Sequence, residues 1–380
     1  MYQVILIALI VLFGFFSVGI PLATLPSFIR DVLGFNDIWV GLVLGLQSVI
    51  TLVSRHHSGT LADLKGPKVA VRRGLLLALF SGTLTLVAVS MSGYVSLIVL
   101  ISGRFLLGLS ESLLITGALA WGIGLAGPKN AGKVMSWSGM AMYGSIAASS
   151  PLSFLSLSYF GFPGAITLAI LLPFLAGLIS MLVASSPATG VERIPFYKVL
   201  PLVWKQGMGL AFAAVSFAGI AGFSALLFKQ NHWENAPWLM TIFGITYVIA
   251  RVFFGQTPDT FGGKKVAMVS TGITIIGQVM IWQAGSSLLA LCGAAFTGFG
   301  YSLVFPAFGV EAVKNLEGKY RGVALGAYVA FFDLALGITG PISGLVANTF
   351  GYPAVFALGV GACMISFLFA ISLKQNKDYL

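Results

Sequence analysis
The sequence predicts an all-α integral membrane protein in which twelve transmembrane helices form two six-helix, pseudo-symmetric bundles. Three features lead there: a scarcity of charge, apolar stretches long enough to cross a bilayer, and a pattern that recurs half a chain later. Of 380 residues, only 21 are Lys or Arg and 11 are Asp or Glu, while 58% are hydrophobic. Soluble domains carry about a quarter charged residues, against 8% here, because a surface in water needs polar atoms to cover it. This surface must face lipid. A soluble enzyme, a disordered chain and a secreted disulfide scaffold are excluded. The 47 glycines and 30 phenylalanines suit closely packed membrane helices with bulky residues turned to lipid.

A membrane-crossing helix needs about 20 apolar residues, since its backbone amides must bond internally where no water is present. Twelve such segments read as Tyr2 to Ile29, Ile38 to Ser54, Ala70 to Met91, Val95 to Leu119, Val134 to Tyr159, Pro163 to Ala184, Gly207 to Phe228, Trp238 to Phe254, Val266 to Ala284, Leu288 to Val310, Gly322 to Phe350 and Pro353 to Leu373. The first is not preceded by basic residues and has no small-residue cleavage site. It reads as a membrane helix and not as a removable signal.

Charge sets the orientation. All but three of the 21 basic residues fall in alternate loops, their flanking helix ends and the tail. The opposite side holds Arg30 and Lys229, and Arg104 lies inside a span. The positive-inside rule therefore puts both termini in the cytoplasm, and the bacterial cytoplasmic membrane is the expected location. The net charge of +10 is a topology signal. Its residues form no continuous basic face, so nucleic acid is not expected as a partner.

The segment from Gly132 recurs from Gly322: Gly132, Pro151, Gly161 and Pro163 fall on Gly322, Pro341, Gly351 and Pro353, an offset of 190 residues. The same offset pairs Gly108 and Ser112 with Gly298 and Ser302. After helix two, Arg55, Gly59, Asp63 and Gly66 recur as Arg251, Gly255, Asp259 and Gly262, 196 residues on. A duplicated six-helix unit follows, with bundles over 1–184 and 207–380 joined by a Pro-containing cytoplasmic linker over 185–206. Parallel repeats of this kind describe one large class of secondary transporter, whose substrate site lies near mid-membrane between the halves.

The loop Gly59-Thr-Leu-Ala-Asp63-Leu-Lys-Gly66-Pro-Lys68 resembles the signature between helices two and three of the major facilitator superfamily. Arg104-Phe-Leu-Leu-Gly108-Leu-Ser-Glu111 resembles its helix-four motif, and the Pro151 region its helix-five antiporter motif. With Gly122 to Pro128 and Gly139 to Gly144, the chain is similar to the YhhS-type branch grouped with drug and arabinose efflux proteins. The resemblance implies the twelve-helix fold of that superfamily. It also implies that the loops at Arg55, Gly59, Asp63, Gly66 and Lys68 and at Arg251, Gly255, Asp259 and Gly262 latch the cytoplasmic ends of the halves. One departure weakens the antiporter implication: Ser149, Ser150 and Ser153 surround Pro151 where efflux members have glycines, and a hydroxyl can bond the carbonyl one turn back.

Arg104, Glu111 and Asp333 are the charged residues well inside spans, and each is a functional candidate because ionisable groups are costly there. Arg104 and Glu111 share a helix face seven residues apart, with an axial gap of about 10 Å that water or substrate could bridge. The 190-residue offset pairs Glu111 with Tyr301 and Tyr143 with Asp333. Glu111 and Asp333 are read as the proton-coupling candidates, with Arg104 setting the local field; the competing reading makes them hydrogen-bonded structural acids. Gln47, Trp137, Met140, Tyr143, Tyr247, Gln278, Tyr301 and Tyr328 are candidates to line a substrate cavity, against the commoner role of such residues in packing.

His56, His57 and His232 are too dispersed for a metal site. Cys292 and Cys363 form no paired motif, and nucleotide-binding, nucleophile-elbow and metalloprotease signatures are absent. The expected function is secondary transport of a small molecule by alternating access, as efflux against proton entry, with proton-coupled uptake of a sugar or metabolite as the alternative. A membrane enzyme or receptor is the weak reading from another class. No cofactor is expected; the proton gradient supplies energy, and the working unit is a monomer with protons, substrate and lipid as partners.

Overall fold
The computed structural model describes residues 2–127, 130–187, 199–314 and 318–373, of which 318–323 are described by backbone alone. Lys129, Glu192, Arg193, Lys198, Lys374 and Lys377 lie outside the described residues, as do the side chains of Lys319 and Arg321. The chain divides into two compact units, one over residues 1–192 and one over 193–380.

The first unit contains α1 (Tyr2–Ser27), α2 (Asp37–Lys65), α3 (Pro67–Val89), α4 (Gly93–Ala126) and α5 (Ala131–Leu182). After Pro26, α1 runs into a π-helical turn over Phe28–Val32. The 52 residues of α5 are two spans: Gly161, at φ 64° and ψ −168°, breaks the helix where the sequence places the boundary between spans five and six. A left-handed φ is open to glycine at no steric cost. The core of this unit joins α1, α3, α4 and α5 through Phe15, Val71, Leu75, Leu107, Leu114, Trp121 and Ala176.

The second unit contains α6 (Leu200–Gln230), α7 (Ala236–Phe254), a short α8 (Thr257–Phe261), α9 (Gly263–Trp282), α10 (Ser287–Val313), α11 (Gly318–Phe350) and α12 (Tyr352–Ser372). Among the described residues, eleven helices are long and apolar enough to cross a membrane. The break in α5 brings the spans to twelve.

The repeat is written into backbone geometry. Gly66 and Gly262, 196 residues apart, have φ of 94° and 86°; Gly161 and Gly351, 190 apart, have 64° and 83°. Close helix approaches recur too. A Cβ on Gly108 would come within 2.5 Å of the Gln47 carbonyl oxygen, and one on Gly298 would strike the Phe243 carbonyl. Lys68 Nζ donates to the Val183 carbonyl at 2.5 Å, and Lys264 Nζ to the Leu373 carbonyl at 2.7 Å. A cation at these helix C-terminal ends meets carbonyls left without intrahelical partners.

Three expectations are corrected. Arg55, Gly59 and Asp63 are not in a loop: α2 continues to Lys65, because a single helical glycine costs only about 1 kcal/mol and nothing else interrupts before Gly66. In the second copy α7 does end at Phe254, and Asp259 lies in the separate α8. Pro258 stands where the first copy has Ala62; it lacks an N–H and crowds the carbonyl one turn back. Last, the expected linker loses residues 200–206 to α6, which starts with Pro201 in its first turn, a position where the missing N–H costs nothing.

Candidate functional site
Gly108 lets α4 press against α2, and the short distance between these helices is what allows one side chain to span from one to the other. Gln47 on α2 does so. Arg104 Nη1 donates to Gln47 Oε1 at 3.1 Å, and Gln47 Nε2 donates to Glu111 Oε2 at 2.7 Å. The amide thus joins two ionisable groups that their axial separation keeps from pairing directly. One turn beyond Gln47, the Thr51 hydroxyl lies 3.3 Å from Glu111 Oε2, 3.1 Å from the Gly108 carbonyl and 3.0 Å from the Gln47 carbonyl. With one proton to donate, it has three alternative acceptors.

Burial gives the cluster its weight. Arg104 is 1% exposed and Gln47 6%. Arg104 Nε and Nη2 have no hydrogen-bond partner among the described residues. A guanidinium stays protonated in proteins, so a full positive charge is held inside the span with two nitrogens unsatisfied by any described residue.

The equivalent face of the second unit has the same backbone contact and different chemistry. Gln47 and Thr51 correspond to Phe243 and Tyr247, while Arg104 and Glu111 correspond to Ala294 and Tyr301. The polar chain is replaced by an aromatic cluster in which Phe217 and Tyr301 stack at 6.0 Å, and Tyr247 and Phe243 lie 6.3 and 6.1 Å from Tyr301. Arg251, one turn beyond Tyr247, is buried; its Nη2 donates to the Tyr247 hydroxyl at 2.8 Å. Tyr328 is fully buried on α11 and donates to the Phe305 carbonyl at 2.8 Å.

The other predicted residues separate by position. Arg104, Glu111 and Gln47 meet in the first unit. Asp333 belongs to the second, buried on α11 at 2% exposure. Gln278 has no exposed surface, donates to Thr297 at 3.3 Å and packs its oxygen onto Gly359, so it sits among α9, α10 and α12. Trp137 is 38% exposed, Met140 is half-buried and Tyr143 is buried on α5. Of the latch candidates, Asp63 is buried and Asp259 exposed. Lys68 bonds the end of its own unit's last span, with its ammonium 5.7 Å from the Trp121 ring.

Sequence reasoning missed Thr51, whose signal was its place one turn from Gln47. It also missed Lys264 and Glu311: the Glu311 carboxylate accepts from the Lys264 amide at 3.3 Å. The 196-residue offset that carries Lys68 onto Lys264 was available and would have found the lysine.

Twelve apolar spans in two copies of one pattern, with a partly buried ionisable cluster in one copy, define a secondary transporter of the membrane. A family model described as Major Facilitator Superfamily matches residues 208–378. An uncharacterized MFS-type transporter of Burkholderia pseudomallei is 40% identical over 369 residues, covering 96% of this chain and 90% of that protein. A second such transporter, from Pseudomonas aeruginosa, is 40% identical over 377 residues, covering 99% and 94%. The solved structure of a D-xylose-proton symporter superposes with a TM-score of 0.79 at 15% identity, covering 100% of this chain and 99% of the other. The chain belongs to the major facilitator superfamily.

Proposed function
We propose that this transporter is proton-coupled and that Glu111 takes up and releases the proton, with Gln47 conveying its charge state to Arg104. The observation that carries the reading is the continuous chain Arg104–Gln47–Glu111. While Glu111 is ionised, this half-buried carboxylate offsets the buried positive charge of Arg104 through the amide; when it is protonated, Arg104 loses that compensation. An uncompensated buried charge is expensive, so the protonated protein favours a different arrangement of α2 and α4. Such a difference between states is what a coupled carrier needs.

Efflux against proton entry across a bacterial cytoplasmic membrane, with both termini inside, is the direction favoured by the chain's similarity to the YhhS-type branch grouped with drug and arabinose efflux proteins. Proton-coupled uptake is kept as a second reading because of one feature. Protonation of Glu111 leaves a positive charge at Arg104, and a carried anion arriving with the proton would restore the balance. Imposed pH gradients of either sign across proteoliposomes separate the two. Export predicts accumulation of a transported compound against inward proton flow, and uptake predicts accumulation along with it. A transport rate indifferent to the gradient contradicts both. Asp333 is the alternative proton carrier: gradient-driven transport lost in Asp333→Asn and intact in Glu111→Gln would move the site to α11.

A further inference from the structure
We infer that Arg104 carries an anion-binding edge, and that the transported molecule presents a carboxylate to it. A guanidinium holds five N–H donors in a rigid planar fork. Nη1 is committed to Gln47. Nε and Nη2, the two nitrogens without partners among the described residues, share one side of the plane. That side offers two parallel N–H bonds and matches the two oxygens of a carboxylate. The donors are therefore missing as a geometrically matched pair and not at random.

Two comparisons sharpen the assignment. Arg251 is also buried with an unpartnered Nε among the described residues, but its Nη2 is bonded to Tyr247, so the two nitrogens of that edge are not both left without a partner. At the position equivalent to Arg104 the second unit has Ala294. Among the described residues, the edge thus belongs to the first unit and has no counterpart at the equivalent position of the second. A cationic ligand would need Glu111 instead, and Glu111 Oε2 already accepts from Gln47 with Thr51 beside it. With Arg104 1% exposed, an anion reaches the edge only when the carrier opens.

The inference rests on reading the cluster as the transport site, and not on proton coupling. The test uses purified full-length protein in detergent, with thermal unfolding followed by tryptophan fluorescence. The probes are a series of monocarboxylates from acetate to naphthoate, each beside its neutral amide and its primary amine. Carboxylates in the series are expected to raise the unfolding midpoint while their amides and amines do not. Arg104→Lys, which keeps the charge and removes the planar edge, is expected to weaken apparent affinity by about tenfold or more. Glu111→Gln, which removes a neighbouring negative charge, is expected to tighten it. No carboxylate raising the midpoint, equal shifts with amides, or undiminished binding in Arg104→Lys would overturn the assignment. If Arg104→Lys does not fold, weaker carboxylate binding in Glu111→Gln would overturn it. Carboxylate binding through Arg104 combined with full proton coupling in Glu111→Gln removes the proton role and leaves the edge; loss of coupling with no carboxylate binding does the reverse.

Discussion

At the scale of single residues, Gln47 decides how the charges of Arg104 and Glu111 interact. Its amide accepts from a guanidinium through its oxygen and donates to a carboxylate through its nitrogen at the same time. Gln47→Leu keeps the volume and removes both bonds, leaving Arg104 and Glu111 without that connection. Hydrogen bonds to charged groups are worth about 1.5–3 kcal/mol each, so a loss of about 3 kcal/mol in unfolding free energy is expected. A cycle of Arg104→Gln and Glu111→Gln checks the connection: their interaction energy, about 0.5–3 kcal/mol for coupled neighbours, should fall when Gln47 is Leu to what the two charges exchange directly through space. Additive effects in the presence of Gln47 would mean that the amide transmits nothing. The sequence made Arg104 and Glu111 visible because charge inside a span is rare. It left Gln47 among general cavity candidates, since an uncharged amide carries no such mark and the bridge depends on how closely two helices approach.

At the scale of helices, close packing is what makes the cluster possible. A Cβ at Gly108 would fall 2.5 Å from the Gln47 carbonyl oxygen and 2.7 Å from Ile50 Cβ, so Gly108→Ala must push α2 and α4 apart. Overpacking of this kind costs about 1–3 kcal/mol and would also stretch the Gln47 bridge. Thermal unfolding should show destabilisation for Gly108→Ala and for its counterpart Gly298→Ala. Gly139→Ala, where a Cβ meets nothing within 4 Å, should be neutral or better. The end of α7 offers another test. Pro258→Ala restores the residue type that α2 has at Ala62, so α7 should extend towards Gly262 and amide hydrogen exchange should slow at residues 255–261. Unchanged exchange there would show that proline is not what separates α8. Apolar length and paired prolines made the spans legible in the sequence. The helical course of Arg55 to Lys65 was not legible, because a polar, Gly-containing segment reads as a loop until nothing is found to break it.

At the scale of the whole molecule, one six-helix pattern has been used twice with different contents. The matching glycines at positive φ and the matching lysine contacts preserve the frame. The α2–α4 face was made polar and ionisable, whereas the α7–α10 face was filled with Phe243, Tyr247 and Tyr301. The membrane fold was readable from low charge and apolar span length, and the duplication from glycines and prolines that recur at a fixed offset. The divergence was only partly readable: the Glu111–Tyr301 pairing was visible, and the contacts that make each face a unit were not. Proton coupling should therefore depend on the first unit's cluster, with Glu111 as its titrating member. The most direct measurement uses proteoliposomes containing a pH-sensitive dye and any compound the wild type carries. In Glu111→Gln, exchange of labelled for unlabelled compound should persist while compound-driven proton movement is lost. Proton movement at the wild-type ratio to transported compound in that variant would contradict the account.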